Sequence, residues 1–148
     1  MSGLRIYSVG YAGSGAEDFF RRLAEAGVRT VVDVRLRPFG QLSGFARSPD
    51  LAFFLKRLAG IDYRREPLLA PTASLLADWR SGALDWPGYE KRFTALLAER
   101  QVEKSLTPAD FAGVCLLCSE ALPHHCHRRL AAEYLGQHWP GSVALVHL

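Results

Sequence analysis

The chain has 148 residues and a formal net charge of +3 at pH 7, from 18 Lys and Arg against 15 Asp and Glu. The length predicts one domain with a core of ordinary size, and the small net charge is unlike that of a dedicated nucleic-acid binder with a basic stripe. No apolar run approaches the roughly 18 residues that span a bilayer, and the chain opens on a strand pattern without a basic, apolar leader. We therefore expect a cytoplasmic protein with no membrane partner.

The first half of the chain alternates between strand and helix patterns. Ser14 and Glu17 form a capping-box pattern for a helix that Gly27 ends, and Ser48 is expected to cap a second helix that ends at Gly60. In chain order we predict a strand at 4–9, a helix between 14 and 27, a strand at 29–34, a long loop at 37–47, a helix at 48–60 with Leu51, Phe54, Leu55 and Leu58 inward, and a short strand at 61–64.

The second half continues the alternation. Two helices follow at 72–79 and 86–97, and their aromatic residues at helical spacing are expected in the core: Trp79, Trp86, Tyr89 and Phe93. The segment 113–117 is the most apolar strand and should lie centrally. A helix from about 125 to 138 and a strand at 142–147 complete the pattern. It predicts a single-domain three-layer α/β/α fold over residues 1–148, with right-handed crossovers and a mostly parallel sheet of about five strands.

In an open parallel sheet, ligands bind beyond the carboxyl ends of the strands. The residues just past the five expected strands are rich in reactive side chains. They are Gly10 and Tyr11, then Asp33, Arg35 and Arg37, then Tyr63, Arg64 and Arg65, then Cys118 and Glu120, and finally His147. This one-sided distribution predicts a functional site at that rim of the sheet.

The segment 118–129, CSEALPHHCHRR, has the densest chemistry in the chain. Cys126 at the start of a helix is a candidate thiolate, because free amides and the helix dipole favour negative charge. Arg128 adds a fixed positive fork, and Glu120 can serve as a general acid or base or pair with an arginine. The structural alternative is that Cys118 and Cys126 are packing residues and that Glu120 pairs with Arg128.

The cysteines and histidines also raise the question of a metal. Three cysteines in one short segment are unlike a secreted disulfide framework, so we expect reduced thiols. Cys115 and Cys118 are three apart on a strand and face opposite sides, unlike a zinc knuckle. We expect no metal and no cofactor, although the ligand types suit zinc at Cys118, His124, His125, Cys126 and His127. The glycine-rich turn GYAGSG has the spacing GxxGxG and not the GxGxxG of dinucleotide-binding proteins.

With these segments described, the sequence resembles the family called domain of unknown function 488. The resemblance covers essentially the whole chain and rests on IYSVGY at 6–11, VVDVRLRP at 31–38, FARSPDL at 45–51, IDY at 61–63, the helix WPGYEKRF and above all LLCSEALPHHCHR at 116–128. The last is similar to the family signature C-x-E-x-x-P-x-x-C-H-R, and the resemblance points to Asp33, Arg35, Cys118, Glu120, Pro123, Cys126, His127 and Arg128. Tyr11 stands where relatives often have histidine, and PLLAP at 67–71 replaces a Leu-Gly-Gly turn.

The resulting hypothesis is a binding or catalytic pocket for an anionic or nucleotide-like small molecule. The candidate catalytic residues are Asp33, Glu120 and Cys126, and the candidate ligand-binding residues are Gly10, Tyr11, Arg35, Cys118, His127 and Arg128. We expect Asp33, Arg35, Glu120 and Arg128 to meet in one pocket, and Cys126 to be the most reactive thiol.

Three alternatives belong to other classes of protein. One is a nucleic-acid-associated accessory module using Arg35, Arg37, Arg47, Arg64 and Arg65. Another is a metal-dependent enzyme using Cys118, Cys126 and His127, and the last is an interaction protein without a ligand. Binding to a phosphate backbone would weaken steeply with salt, whereas a closed pocket would be less sensitive.

Overall fold

Five parallel strands form one sheet in the order β3-β2-β4-β1-β5. The structure is a computed structural model that describes residues 4–38, 41–119 and 125–148, with the backbone alone at 41–43. The strands are β1 Leu4–Gly10, β2 Thr30–Asp33, β3 Asp62–Arg65, β4 Val114–Cys118 and β5 Val143–His147. This confirms the predicted α/β fold with its parallel sheet.

Helices cover both faces of the sheet. They are α1 Ala16–Ala26, α2 Ser48–Ala59, α3 Ala73–Arg80, α4 Trp86–Arg100, α5 Val102–Ser105 and α6 His127–His138, with short 3-10 turns at Gln41–Ala46, Pro67–Leu69 and Pro108–Phe111. No helix in the described ranges is long and apolar enough to cross a membrane.

The order of the strands sets which face each helix covers. The chain moves from β1 outward to β2 and β3, and then returns to β4 and β5 in the opposite direction. Right-handed crossovers therefore place α1 and α2 on one face and α3, α4 and α6 on the other. The connections that follow the neighbouring strands β1 and β4 run in opposite directions. Open α/β sheets bind ligands in the crevice at the carboxyl ends of two such strands.

Strand β4 lies at the centre of the sheet, as its apolar sequence predicts. All five of its residues are buried, and they alternate between the two cores. Cys115 packs with α1 and α2, whereas Cys118 packs with α4 and α6. The two side chains thus project to opposite faces, as a separation of three residues on a strand predicts.

Two helix starts and one packing residue differ from the prediction. Gly15 is the N-cap of α1, and Ser14 instead accepts a hydrogen bond from Arg22 at 2.6 Å. Arg47 is the N-cap of α2, so Ser48 lies one residue inside the helix. Leu58 was expected to face the core but is 65% exposed, because α2 buries a narrower stripe than its apolar spacing suggests. The glycine ends are correct, since Gly27 and Gly60 both adopt positive φ.

Candidate functional site

A cavity of about 190 Å³ opens at the carboxyl edge of the sheet, on the face covered by α3, α4 and α6. Its walls come from segments far apart in sequence, at the ends of β2 and β4, in α3 and α4, and at the start of α6. The lining residues are Arg35, Leu36, Arg37, Pro71, Leu76, Trp79, Arg80, Trp86, Tyr89, Cys118, Ser119, His125, Cys126 and His127. The cavity therefore lies at the predicted rim.

Asp33 and Arg35 form a buried ion pair at one side of this cavity. Arg35 donates from Nε and Nη2 to the two carboxylate oxygens at 2.9 and 2.7 Å, and its backbone N–H donates to Oδ1 at 3.1 Å. The Tyr63 hydroxyl donates to Oδ2 at 2.5 Å. Burial, followed by this bond to Asp33, raises the pKa of Tyr63 to about 12, so the phenol stays protonated. Asp33 thus accepts four hydrogen bonds, a geometry that orients Arg35.

The guanidinium of Arg35 is held in place by its neighbours, but one of its nitrogen atoms, Nη1, has no hydrogen-bond partner among the described residues. Nη2 also donates to the carbonyl of Ala46 at 2.7 Å, and the guanidinium carbon lies 5.4 Å from the centre of the Tyr11 ring. Burial acts to lower the pKa of Arg35, but the bonds to Asp33 and its charge outweigh burial and raise it. Among the described residues, no hydrogen-bond acceptor is within reach of the buried Nη1. A buried donor without a partner is costly, and a ligand acceptor would satisfy it.

Part of the cavity wall is aromatic. The His125 ring stacks on Trp86 with centroids 4.8 Å apart, and Trp86 stacks on Tyr89 at 5.1 Å. Trp79 meets Trp86 edge-on at 5.3 Å. Tyr89 and Phe93 are buried core residues, as expected, and Tyr89 also lines the cavity. Trp79 and Trp86 are partly exposed and line the cavity. The spacing that indicated packing residues did not distinguish core rings from rings that face a cavity.

Cys118 and Cys126 lie side by side on the cavity wall. The two residues form a disulfide in the structure, with their Cα atoms 7.6 Å apart. This corrects the expectation of three reduced thiols, since Cys115 alone is free. Cys126 is the N-cap of α6 and accepts from the Arg128 backbone N–H at 3.5 Å. The helix begins two residues later than the predicted 125, because the Cys126 backbone is extended. That Cys126 is the most reactive thiol stays a prediction.

His127 is a neutral imidazole in the cavity wall. Its Nε2 lies 2.7 Å from the Val34 carbonyl, which can only accept, so Nε2 carries the proton and Nδ1 keeps its lone pair. Burial lowers the pKa of His127 to about 4, and the nearby Arg128 charge lowers it further against the opposing effect of the Val34 bond. The ring connects the end of β2 to the start of α6.

Arg128 lies deeper than the sequence predicted. It is 0% exposed, and it does not line the cavity. Its Nε donates to Ser8 Oγ at 3.1 Å and its Nη1 to Cys118 Sγ at 3.1 Å, while Ser8 also contacts His147 Nδ1. Because Arg35 and Arg128 are both buried, replacing either with alanine should cost more stability than the loss of an exposed arginine, which is within about 1 kcal/mol.

Some of the other predicted site residues lie beside the cavity wall, and some lie outside the described residues. Gly10 ends β1 beside Cys118, and the Tyr11 backbone N–H donates to the Cys118 carbonyl at 3.4 Å. Glu120, Pro123 and His124 lie outside the described residues. Of the four residues expected to meet in one pocket, the described part of the structure pairs Asp33 with Arg35, whereas Arg128 is bonded to Ser8 and Cys118.

Three of the five arginines of the nucleic-acid alternative have partners within the protein. Arg35 is buried in its ion pair, Arg47 pairs with Asp50 at 3.0 Å, and Arg64 donates to the Asp110 carbonyl at 2.8 Å. Within the described ranges, no three His, Cys, Asp or Glu side chains cluster as metal ligands.

Sequence reasoning missed part of the wall, including Arg80 and the segment 67–71. Arg100 Nη1 donates to the carbonyls of Leu68 and Ala70, both at 2.7 Å, and so holds this segment with Pro71 against the cavity. Arg80 follows the helical pattern of an exposed residue, and no local signal marks it as part of a site.

Comparison with known families agrees with the resemblance in the signature segment. A family model described as Domain of unknown function DUF488 matches residues 15–135. No curated protein and no solved structure matches the chain. Because the family model covers most of the sequence, including the strands and helices that build the cavity, the chain belongs to the DUF488 family.

Proposed function

We propose that the cavity binds an anionic, nucleotide-like small molecule. The single observation that carries the proposal is Arg35, a buried cation whose Nη1 has no acceptor among the described residues and which lines the cavity. An anionic oxygen would complete its hydrogen bonds, and hydrogen bonds between charged groups are the strong ones.

The charge of the walls supports an anion. Arg35, Arg37 and Arg80 all line the cavity, and Arg37 and Arg80 are exposed, so they can approach a ligand. No Asp or Glu side chain is among the lining residues that the structure describes. Asp33 neutralises part of the Arg35 charge, and it serves in this proposal to orient the guanidinium, not to accept a substrate proton.

The aromatic wall supports a planar ring on the same ligand. Trp79, Trp86 and His125 all line the cavity. Planar bases bind aromatic side chains by stacking, with about 1–3 kcal/mol per base. A phosphate bound by the arginines and a base bound by these rings together describe a nucleoside monophosphate.

The proposal is tested by tryptophan fluorescence. Two of the three tryptophans, Trp79 and Trp86, line the cavity, so AMP should quench emission, and adenosine or inorganic phosphate alone should bind more weakly. Arg80→Ala should weaken AMP binding about tenfold, since a charged hydrogen bond contributes about 1.5 kcal/mol. Arg57→Ala is the matched control, because Arg57 is also exposed and helical but lies in α2 on the opposite face.

Two outcomes would contradict the proposal. One is the absence of quenching by any nucleoside monophosphate at millimolar concentration. The other is binding of oligonucleotides with a steep salt dependence that Arg80→Ala leaves unchanged, which would favour the nucleic-acid alternative.

A further inference from the structure

Two thiols and a positive charge come together at the wall of the cavity. Cys118 ends β4, Cys126 precedes α6, and both sulfur-bearing side chains line the same cavity in disulfide contact. We propose that Cys118 and Cys126 form a reversible dithiol–disulfide pair that exchanges with an anionic low-molecular-weight disulfide entering the cavity. This goes beyond nucleotide binding and does not depend on it.

The surroundings of the two sulfurs favour thiolates. Arg128 Nη1 donates to Cys118 at 3.1 Å, and the Arg128 backbone N–H at the start of α6 donates to Cys126. Positive charge and helix N-termini stabilise thiolates, which are the species that attack disulfides. Cys115 provides the contrast, since it is fully buried in the opposite core, and burial raises the pKa of its thiol.

The cavity gives a small disulfide access to the pair and selects for its charge. Cys118 and Cys126 are almost fully buried, so reagents reach them through the cavity and not from the protein surface. Arg37 and Arg80 line the cavity and are exposed, so they present positive charge to an entering anion.

The exchange balances in two steps. One cysteine thiolate attacks a sulfur of the external disulfide, a mixed disulfide forms, and one external thiolate leaves. The second cysteine thiolate then attacks the protein sulfur of the mixed disulfide, the Cys118–Cys126 bond forms, and the second external thiolate leaves. The two cysteines lose two electrons, and the external disulfide gains them.

The test begins with the reduced full chain and oxidised glutathione. We expect a mass loss of about 2 Da, the loss of two hydrogens, and a peptide map in which residues 118 and 126 are cross-linked. Cys115 should be alkylated only after unfolding. If Cys118 and Cys126 remain reduced, or if a link involves Cys115, the proposal is wrong, and this measurement needs no variant.

Single substitutions separate the two steps. Cys118→Ser and Cys126→Ser should each retain glutathione as a stable mixed disulfide on the remaining cysteine, whereas Cys115→Ser should close the 118–126 link like the native chain. Circular dichroism of each variant identifies any that fails to fold. A folded Cys118→Ser chain and a folded Cys126→Ser chain that both take up no glutathione would contradict the mechanism.

The charge of the oxidant tests the role of the cavity. Oxidised glutathione is net negative and cystamine is net positive, so glutathione should react about tenfold faster at low salt, within the range of electrostatic steering. Arg80→Ala should reduce this preference and Arg57→Ala should not. Equal rates in the native chain would overturn the anionic selectivity. AMP binding by the reduced protein is measured separately, so loss of nucleotide binding with intact exchange removes the proposed function alone.

Discussion

The two faces of the sheet each carry a cluster of aromatic rings, but the clusters differ in composition and surroundings. On the face of α1 and α2, the rings are four phenylalanines with neighbouring centroids 5.2 to 6.2 Å apart: Phe19, Phe20, Phe45 and Phe54. On the face of α3, α4 and α6, they are Trp79, Trp86, Tyr89 and His125 at 4.8 to 6.0 Å. We call these the phenylalanine cluster and the cavity cluster.

The comparison shows that ring spacing alone does not separate a core from a site. Hydrocarbon rings lose nothing when they exclude water, whereas Trp, Tyr and His have polar groups that need a partner. The cavity cluster also borders Arg35, Arg37 and Arg80. Removing a ring from the phenylalanine cluster should therefore affect stability, and removing a ring from the cavity cluster should affect binding.

The largest expected effect is Phe19→Ala. Phe19 is 0% exposed, so the cavity left behind should lower the free energy of unfolding by about 3–5 kcal/mol. Trp86→Ala should cost about 1 kcal/mol, because Trp86 is partly exposed, yet it should abolish AMP quenching. Urea denaturation measures the stability of both variants, and fluorescence titration measures their AMP binding. Equal stability losses in the two variants would remove the distinction between the clusters.

The fold could be predicted from the sequence because its signals are local. β-branched runs identified the strands, and Gly27 and Gly60 marked helix ends, since both adopt a backbone conformation that glycine tolerates best. The rim also followed from topology, because parallel strands end at one edge. Leu58 shows where this reasoning fails, since periodicity indicates the direction of a buried stripe but not its width.

The site was less predictable because it depends on distances across the fold. Arg128 belongs to the reactive segment 118–129, yet its helix directs it inward to Ser8 and Cys118. Cys118 and Cys126 are eight residues apart, and nothing in their spacing showed that the sulfurs would meet. Trp79 and Trp86 have the spacing of core residues, and whether a helical ring faces a core or a cavity depends on what the neighbouring elements leave open.

Arg128 is fully buried and bonds Cys118 in the cavity wall, so its hydrogen bonds should contribute to stability. Arg128→Met preserves much of the side-chain volume but removes the donors to Ser8 and Cys118, so unfolding should become easier by about 2–3 kcal/mol. Arg129→Met, one residue along the same helix, is the control, because Arg129 is more exposed and its ion pairs lie at the surface. A loss below about 0.5 kcal/mol for Arg128→Met would mean that the buried bonds add little stability.

His127 in the cavity wall should make the free energy of unfolding depend on pH. Its pKa of about 4 in the folded protein lies below the ordinary 6.5, so the unfolded chain binds the proton more tightly. This contribution to stability is therefore complete above pH 6.5 and is lost as pH falls towards 4, with a change on the order of 3 kcal/mol. Urea denaturation across this range should show it. His127→Gln keeps an N–H donor for Val34 without the titration, and its curve should be flatter; an unchanged curve would assign the pH dependence elsewhere.

The smallest effect on stability is expected for Arg80, an exposed residue of the cavity wall. Arg80→Ala should change the free energy of unfolding by less than about 0.5 kcal/mol, since Arg80 is exposed. Thermal denaturation of this variant and of Arg57→Ala should give the same midpoint, although AMP binding differs. A lower midpoint for Arg80→Ala would mean that Arg80 supports the fold as well as the ligand.

Two side chains that shape the cavity have main-chain partners, and this affects how the family's sequences can change. His127 donates to the Val34 carbonyl, and Arg100 donates to the carbonyls of Leu68 and Ala70. A carbonyl is present whatever residue occupies positions 34, 68 and 70, so no substitution there can compensate for a change at 127 or 100. Correlated substitution between positions, which reveals contacts between side chains, should not reveal these. The constraint should instead appear at each position alone, as a narrow choice among side chains with an N–H group that reaches the same carbonyl.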